Sequence, residues 1–501
     1  MNREDRRALG SVRYHVAGKG YFEQRGLRRT AGAWSLWALG VGAVVSGDFF
    51  GWNLGLAAGG FGGLVIATAI VAAMYLCLCV SLAELSAALP HSGGAYSFCR
   101  AAMGPWAGLV AGLAATLVYV LTPAVIAVAI GGYLGAIFDD LFGVGIAGPV
   151  WSLLAYALFV GLNLWSVELA FKVAVVAAFV ALAILAIFWV GAVPYFSWDH
   201  ALDIPPSDGN GLWLPFGWSG AAAALPFAIW FFLAIELLPL AAEETHDPKQ
   251  DLPKGLLYGI LTLIVAALLT LLLSAGVAPG AEAVGNARAP LSLAFRTVFG
   301  EGIGVTLPAL IALAGLIASF HCLIYAYGRN IYALSRAGYF PHWLSLTHAT
   351  RKTPQSALVA GALPGYLLAL AISLGRSLFG LPIGAALLEM AVLGATISYL
   401  LQMLSFVLLR RKLPEIERPY VSPLGNAGAC LAGAIALTVL VTLLAKSNPL
   451  AVVGCALWFA AGLTYFALHG RKTLVYAPEE AFAVKHLSAQ EPKKTLDAAL
   501  P

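Results

Sequence analysis

The sequence predicts an all-α membrane protein of twelve transmembrane helices, built as two five-helix halves of opposite orientation, with the first and sixth helices broken. Three observations carry this. Sixty per cent of the 501 residues are apolar, eleven per cent are charged and the mean hydropathy is +0.85, a composition that no water-soluble chain of this length shows. Apolar runs repeatedly reach the ~20 residues that a helix needs to cross a hydrocarbon core of roughly 30 Å. The first and sixth of these runs each hold one carboxylate, Asp48 and Glu236, at corresponding places, and interrupted spans at corresponding positions mark an inverted repeat around a central site. A β-barrel would instead show alternating segments of ~10 residues, which are absent.

The runs fall at about 33–58, 64–89, 105–137, 149–166, 172–194, 220–241, 255–278, 303–328, 355–375, 383–409, 425–446 and 449–469. The first follows about thirty polar, Arg-rich residues and is too long for a signal-peptide core, so it stays as a span. Residues 1–30 and 471–501 read as cytoplasmic tails, partly disordered because they lack apolar periodicity. Residues 31–412 hold the ten-helix repeat. Residues 413–470 hold helices 11 and 12, suited to packing, lipid contact or dimerisation. The connection at about 195–219 carries Trp198, Trp213 and Trp218, which fit an interfacial belt or a lid. Residues 285–301 suit a short external helix.

Orientation follows from the cations. Alternating sides place about 25 of the 29 Lys and Arg with the N-terminus, leaving Arg288, Arg296, Arg376 and Lys446 on the other face. The positive-inside rule then puts both termini in the cytoplasm of a cell with this as its inner membrane. The net charge of +4 reports topology and calls for no nucleic acid. The six cysteines have no second pair at zinc spacing, so neither a metal nor a cofactor is expected. There is no nucleophile elbow, P-loop or His-Glu metal helix, which points away from an enzyme and leaves gradients to drive any transport.

A carboxylate near the bilayer centre costs roughly 2.5–3.5 kcal/mol on insertion scales, so it faces a cavity, a partner or a transported ion. Asp48 sits in Val45-Ser46-Gly47-Asp48-Phe49-Phe50-Gly51 and Glu236 in Phe231-Phe232-Leu233-Ala234-Ile235-Glu236. The bland alternatives are an Asp48 paired within the bundle and a Glu236 that caps backbone donors freed at a break. A small cation carrier is the sharper reading.

Three blocks resemble signatures of the amino acid–polyamine–organocation superfamily. They are Ser81-Leu82-Ala83-Glu84-Leu85-Ser86-Ala87-Ala88-Leu89-Pro90 with Gly93-Gly94-Ala95-Tyr96, then Glu243-Glu244-Thr245 with Pro248-Lys249, and Arg329-Asn330-Ile331-Tyr332-Ala333-Leu334-Ser335-Arg336. Within that superfamily, Ser46-Gly47-Asp48-Phe49-Phe50-Gly51-Trp52-Asn53 and Phe231 through Glu236 look most like the bacterial ethanolamine permeases. The resemblance implies the leucine-transporter-like fold, with substrate held between broken spans one and six. It differs from the superfamily pattern in two places. Ala181 stands where many proton-coupled members carry a lysine, and Ala234 replaces the usual glycine at the second break, where alanine makes unwinding less favourable.

Amino-acid carriers of that superfamily hold the substrate carboxylate on the amide groups of the first break. A fixed Asp48 there would repel a carboxylate and attract a lone ammonium, so the substrate shifts from zwitterion to a cation such as ethanolamine. The candidate substrate residues are Ser46, Gly47, Asp48, Phe49, Tyr119, Phe231, Phe232, Ala234 and Glu236, with Phe50, Trp52 and Trp230 as aromatic walls and Thr116 as a further hydroxyl. Glu236 and His321 are the candidates for proton coupling, His321 being otherwise a hydrogen-bonded buried histidine. Glu84, Glu243 and Glu244 suit an inner gate paired with Arg100, Arg329 or Lys254, and Glu389 an outer rim. An amino-acid permease of the same superfamily is the first alternative and a sensor or channel with this fold the second. The coupling ion and oligomeric state stay open.

Overall fold

The computed structural model describes residues 6–9, 12–15, 17–207, 209–287, 289–300, 306–379 and 383–476; Arg288 and most of the 471–501 tail lie outside the described residues. In chain order the described elements are strands β1 (Arg6–Leu9) and β2 (Val12–His15), then helices α1 (Lys19–Glu23), α2 (Ala33–Val44), α3 (Ser46–Phe49), α4 (Leu54–Ala88), α5 (Gly94–Met103), α6 (Pro105–Phe142), α7 (Gly148–Trp165), α8 (Val167–Ala192) and α9 (Trp198–Ala201). The second half runs through α10 (Gly217–Ala228), two 3-10 segments (Ile229–Phe231 and Ile235–Glu244), α11 (Pro248–Gly276), α12 (Ala281–Asn286), α13 (Pro290–Phe299), α14 (Thr306–Arg336), α15 (Gln355–Phe379) and α16 (Ile383–Lys412). Helices α17 (Gly425–Lys446) and α18 (Pro449–Leu468) follow, and strand β3 (Leu474–Val475) closes the described chain.

Eleven helical segments among the described residues are long and apolar enough to cross a membrane, and the chain is a multi-pass membrane protein. Each overlaps one of eleven expected runs, with bounds that agree within about five residues except at Leu54, Pro248 and Arg336, where the helices extend seven to ten residues further. The remaining run, expected at 33–58, is divided: α2 has twelve residues, α3 is a single turn, and the rest enters α4 through a kink at Gly60. Gly60 takes φ +71, and a Cβ there would lie 2.2 Å from the Pro215 ring, so only glycine lets the 209–216 loop pack so close. The Trp213 carbonyl accepts the Gly62 amide at 3.1 Å, and the Trp198 and Trp213 rings both pack against Phe61. The tryptophan-bearing connection is therefore moored to α4.

Helices α6 and α14 are the most buried spans and pack against each other at the centre. Helix α4 packs on α10 and α11, and α2 on α8 and α11. Helices α17 and α18 are mostly exposed, as apolar surfaces facing lipid are. The short external helix expected within 285–301 is α13.

The ends of the chain fold together at the Arg-rich end. Strands β1 and β2 form an antiparallel hairpin, and β2 pairs in parallel with β3. The Arg100 guanidinium donates to the Tyr14 hydroxyl, and Arg25 donates to Ser345 Oγ at 2.7 Å and to the His342 carbonyl at 3.1 Å. These parts of the expected disordered tails are thus packed. Two- to four-residue strands leave no apolar period to read, and β3 lies hundreds of residues from its partner β2.

Candidate functional site

Two interruptions define the site. Helix α2 ends at Val44, after which small residues and the extended Phe50 (φ −160, ψ 163) carry the chain past Asp48 to Gly51 and α4. In the second half, α10 gives way to a 3-10 turn at 229–231, and Ala234 takes the left-handed conformation, φ 89 and ψ 1. Pro226 and Pro239 lie on either side, and each removes a helix donor. Glu236 supports the turn directly: its Oε2 accepts the Ala234 amide at 3.0 Å. That contact is the backbone-capping role weighed above for Glu236, and it offsets part of the cost of an alanine at positive φ.

The interruptions touch. A Cβ on Gly47 would lie 1.9 Å from the Trp230 carbonyl oxygen, and one on Gly51 would meet the Trp230 ring at 3.4 Å. The Trp52 ring stacks on Phe231 with centroids 5.3 Å apart, while its Nε1 donates to the Asp48 carbonyl at 3.2 Å. Helix α14 supports the first interruption from behind. Ser319 Oγ accepts the Ser46 amide at 3.1 Å and donates to the Gly42 carbonyl at 3.0 Å. The Phe49 ring lies on Gly315.

The acids face different neighbours. The Asp48 side chain is completely buried, and the Thr270 hydroxyl of α11 is the loose hydrogen-bond partner beside its carboxylate. Thr270 Oγ1 also accepts Trp189 Nε1 at 3.2 Å. Glu236 is buried among the hydroxyls of Tyr75, Tyr119 and Tyr399, which come from α4, α6 and α16. The Tyr75 and Tyr399 hydroxyls are 2.9 Å apart, and Phe232 packs on the Tyr75 ring.

Of the expected site residues, Ser46, Gly47, Asp48, Phe49, Phe231, Phe232, Ala234 and Glu236 line the two interruptions, with Tyr119 beside Glu236. Thr116 is elsewhere, accepting Asn330 Nδ2 and donating to the Gly112 carbonyl, both at 2.8 Å. His321 lies between α7 and α8, its Nε2 2.8 Å from the Ala170 carbonyl and its Nδ1 3.4 Å from Asn163 Nδ2. Both ring nitrogens are engaged, as in a neutral structural histidine. Ala181 joins the apolar cluster of Val45 and Phe49, so α8 brings no amine to the first interruption. Lys172 is exposed and pairs with Glu168. Sequence reasoning missed Thr270, Ser319, Tyr75 and Tyr399. Their signal was a hydroxyl in the middle of an apolar span.

Ion pairs cluster at the Arg-rich end. Glu244 and Arg329 pair at 2.9 Å with both side chains fully buried, and the Tyr325 hydroxyl donates to Glu244. The Glu244 carbonyl accepts the Thr30 and Ala31 amides at 2.8 and 2.9 Å, tying the approach to α2 to the end of the 3-10 segment Ile235–Glu244. Glu243 pairs with Arg336 at 2.6 Å, and Glu84 with Arg410 at 2.5 Å and Arg418 at 3.1 Å. The three glutamates do form ion pairs, although Arg336, Arg410 and Arg418 take the places expected for Arg100 and Lys254. Towards the opposite end, a cavity of about 320 Å³ reaches Phe50, Gly51 and Trp230, with Glu389 and Lys446 on its lining. Glu389 there accepts the Asn448 amide at 2.8 Å.

The model of the amino acid permease family matches residues 32–467. An uncharacterized transporter of Rhizobium meliloti is 30% identical over 406 residues, covering 79% of this chain and 83% of that protein. A branched-chain amino acid permease of Bacillus subtilis is 26% identical, covering 90% and 94% of the two chains, and a methylthioribose transporter of the same organism 24%, covering 90% and 95%.

Proposed function

The chain belongs to the amino acid permease family and is a transporter of the amino acid–polyamine–organocation superfamily, and we propose that it imports ethanolamine, or a close small amine, by alternating access. It would do so across a bacterial inner membrane in twelve crossings, the divided first run included, with both termini cytoplasmic. The observation that carries the substrate reading is the Asp48 carboxylate, completely buried at the first interruption with only the loose Thr270 contact beside it among the described residues. A buried carboxylate is retained where a cation or donor compensates it, and a substrate ammonium is such a partner. Trp52 and Phe231 add ring faces, against which a cation gains ~0.5–2 kcal/mol.

An amino acid would also need donors for its carboxylate. Around the first interruption, the amides of Ser46, Asp48, Phe50 and Gly51 are already engaged, with Ser319 Oγ, Val45 O, Ser46 O and Asn53 Oδ1. That favours a substrate without a carboxylate. The likeness to the branched-chain amino acid permease of Bacillus subtilis favours the other reading, an amino-acid permease.

In this mechanism, substrate enters through the cavity above Phe50 and Trp230 while the Glu243, Glu244 and Glu84 pairs hold the opposite end shut. Its ammonium draws the two interruptions together, and this differential contact biases the protein towards the occluded state. Glu236, on the inner side of the second interruption, is the candidate proton carrier.

Uptake of labelled ethanolamine into liposomes, with competitors, tests the reading. Serine contains the same amino-alcohol skeleton plus a carboxylate, and is expected to compete far less well. Equal competition by serine would transfer the reading to an amino-acid permease. Saturable counterflow separates a carrier from a channel or sensor.

A further inference from the structure

Just before α2 the protein presents positive charge that the described residues compensate only through the nearby Glu168. Arg28 and Arg29 are exposed, and neither makes a hydrogen bond or ion pair among the described residues. They line a cavity of about 670 Å³ together with Ser35 of α2, Lys172 and Val176 of α8, and His246. A smaller adjoining cavity of about 290 Å³ shares Arg28 and ends on Trp165 and Arg351, whose guanidinium lies 4.6 Å over the Trp165 ring. The one acid on either lining is Glu168, which pairs with Lys172 at 2.8 Å while both side chains are more than half exposed. Such an exposed pair is worth little and rearranges readily.

Directly beyond this charge, the surface turns apolar. Trp34 on α2 is 70% exposed, and Val176 and Phe179 on α8 are 64% and 54% exposed. In a membrane these side chains meet acyl chains, and Trp34 and Trp165 stand at the level of an interfacial belt. The groove thus joins a cationic mouth to an apolar track, the two chemistries of one amphipathic molecule.

We propose that the groove between α2 and α8 binds an anionic phospholipid of the leaflet on the Arg-rich side. Its phosphodiester lies among Arg28, Arg29 and Lys172, and an acyl chain runs along Val176 and Phe179. Basic pockets between transmembrane helices on this side suit anionic head groups, to which each nearby Lys or Arg contributes. Because α2 leads straight into Ser46 and Asp48, the lipid lies against an element of the candidate site.

The test is lipid retention by the purified full-length protein, read by native mass spectrometry after mixing with phosphatidylglycerol and phosphatidylcholine in equal amounts. The wild type should retain phosphatidylglycerol selectively, and R28Q/R29Q/K172Q should lose that selectivity roughly a hundredfold with phosphatidylcholine retention unchanged. Equal selectivity in the triple variant would overturn the proposal. E168Q, which removes the competing carboxylate and keeps all three cations, should raise phosphatidylglycerol retention; an unchanged or lower value counts against the site even if the triple variant fails to fold. Millimolar inorganic phosphate should leave the lipid in place. Its displacement would assign the groove to a free anion and overturn the lipid assignment.

Discussion

Gly47 and Trp230 meet backbone to backbone, so close that a Cβ at position 47 would stand 1.9 Å from the Trp230 carbonyl oxygen. The contact joins the interruption of the first half to that of the second. Neither can shift without moving the other, so a ligand bound at one is felt at both.

Gly47→Ala should therefore be among the most damaging single-atom additions in the protein. The facing atom is backbone and cannot rotate away, so the expected loss of stability is roughly 3 kcal/mol, the top of the range for overpacking. Thermal unfolding of the purified variant measures it. Gly161→Ala, whose Cβ would meet nothing within 4 Å, is the control and should be neutral or stabilising.

Asp48→Asn keeps the shape of the side chain and removes its charge. We expect a protein that inserts and melts like the wild type but takes up no ethanolamine. Uptake at the wild-type rate would remove Asp48 from substrate recognition.

Glu236→Gln separates capping from proton transfer, because the amide oxygen can still accept the Ala234 N–H. The variant should retain equilibrium exchange of substrate better than uptake driven by an imposed pH gradient. If both fall equally, Glu236 serves as a ligand or as structure. If no pH gradient drives the wild type, protons are not the coupling ion.

Ala234 occupies a conformation that costs an L-residue about 1–2 kcal/mol, partly returned here by its bond to Glu236. Ala234→Gly removes that strain but adds roughly 0.5–1 kcal/mol of chain entropy to be lost on folding. The variant should match or slightly exceed the wild type in melting temperature and keep its uptake. Ala234→Val, with a branched Cβ at positive φ, should lose both.

The Glu244–Arg329 pair gives a stability prediction with a built-in control. Removing one partner strands a buried charge and should cost about 3–5 kcal/mol. Arg329→Met should therefore lower the melting temperature markedly, and the double variant with Glu244→Gln should recover much of the loss. An additive double variant would show that the two side chains act independently.

Much of this architecture was legible in the sequence because hydrophobic length is a one-dimensional signal. Eleven runs each found their helix, though α4, α11 and α14 run seven to ten residues beyond the expected ends, and Asp48 and Glu236 marked the two interruptions through the cost of a carboxylate in lipid. What the sequence did not carry was direction. Asp48 turns to Thr270 and Glu236 to Tyr75, Tyr119 and Tyr399, a division set by how α4, α6, α11 and α16 pack. The partners of Glu84 and Glu243 were hidden for the same reason: Arg410, Arg418 and Arg336 were as plausible as Arg100 until the helix ends were placed. The terminal sheet left no period at all.

That sheet sets an order of assembly. Strand β2 is synthesised before any span, yet its partner β3 follows the last one, and His15 Nε2 sits 3.1 Å from the carbonyl of Lys472, 457 residues downstream. At 5–20 residues per second, translation holds the two apart for about 20–90 s. During that interval every span enters the bilayer while the Arg-rich end lacks its final seam, so the nascent carrier is stitched shut there only as synthesis reaches its last described residues.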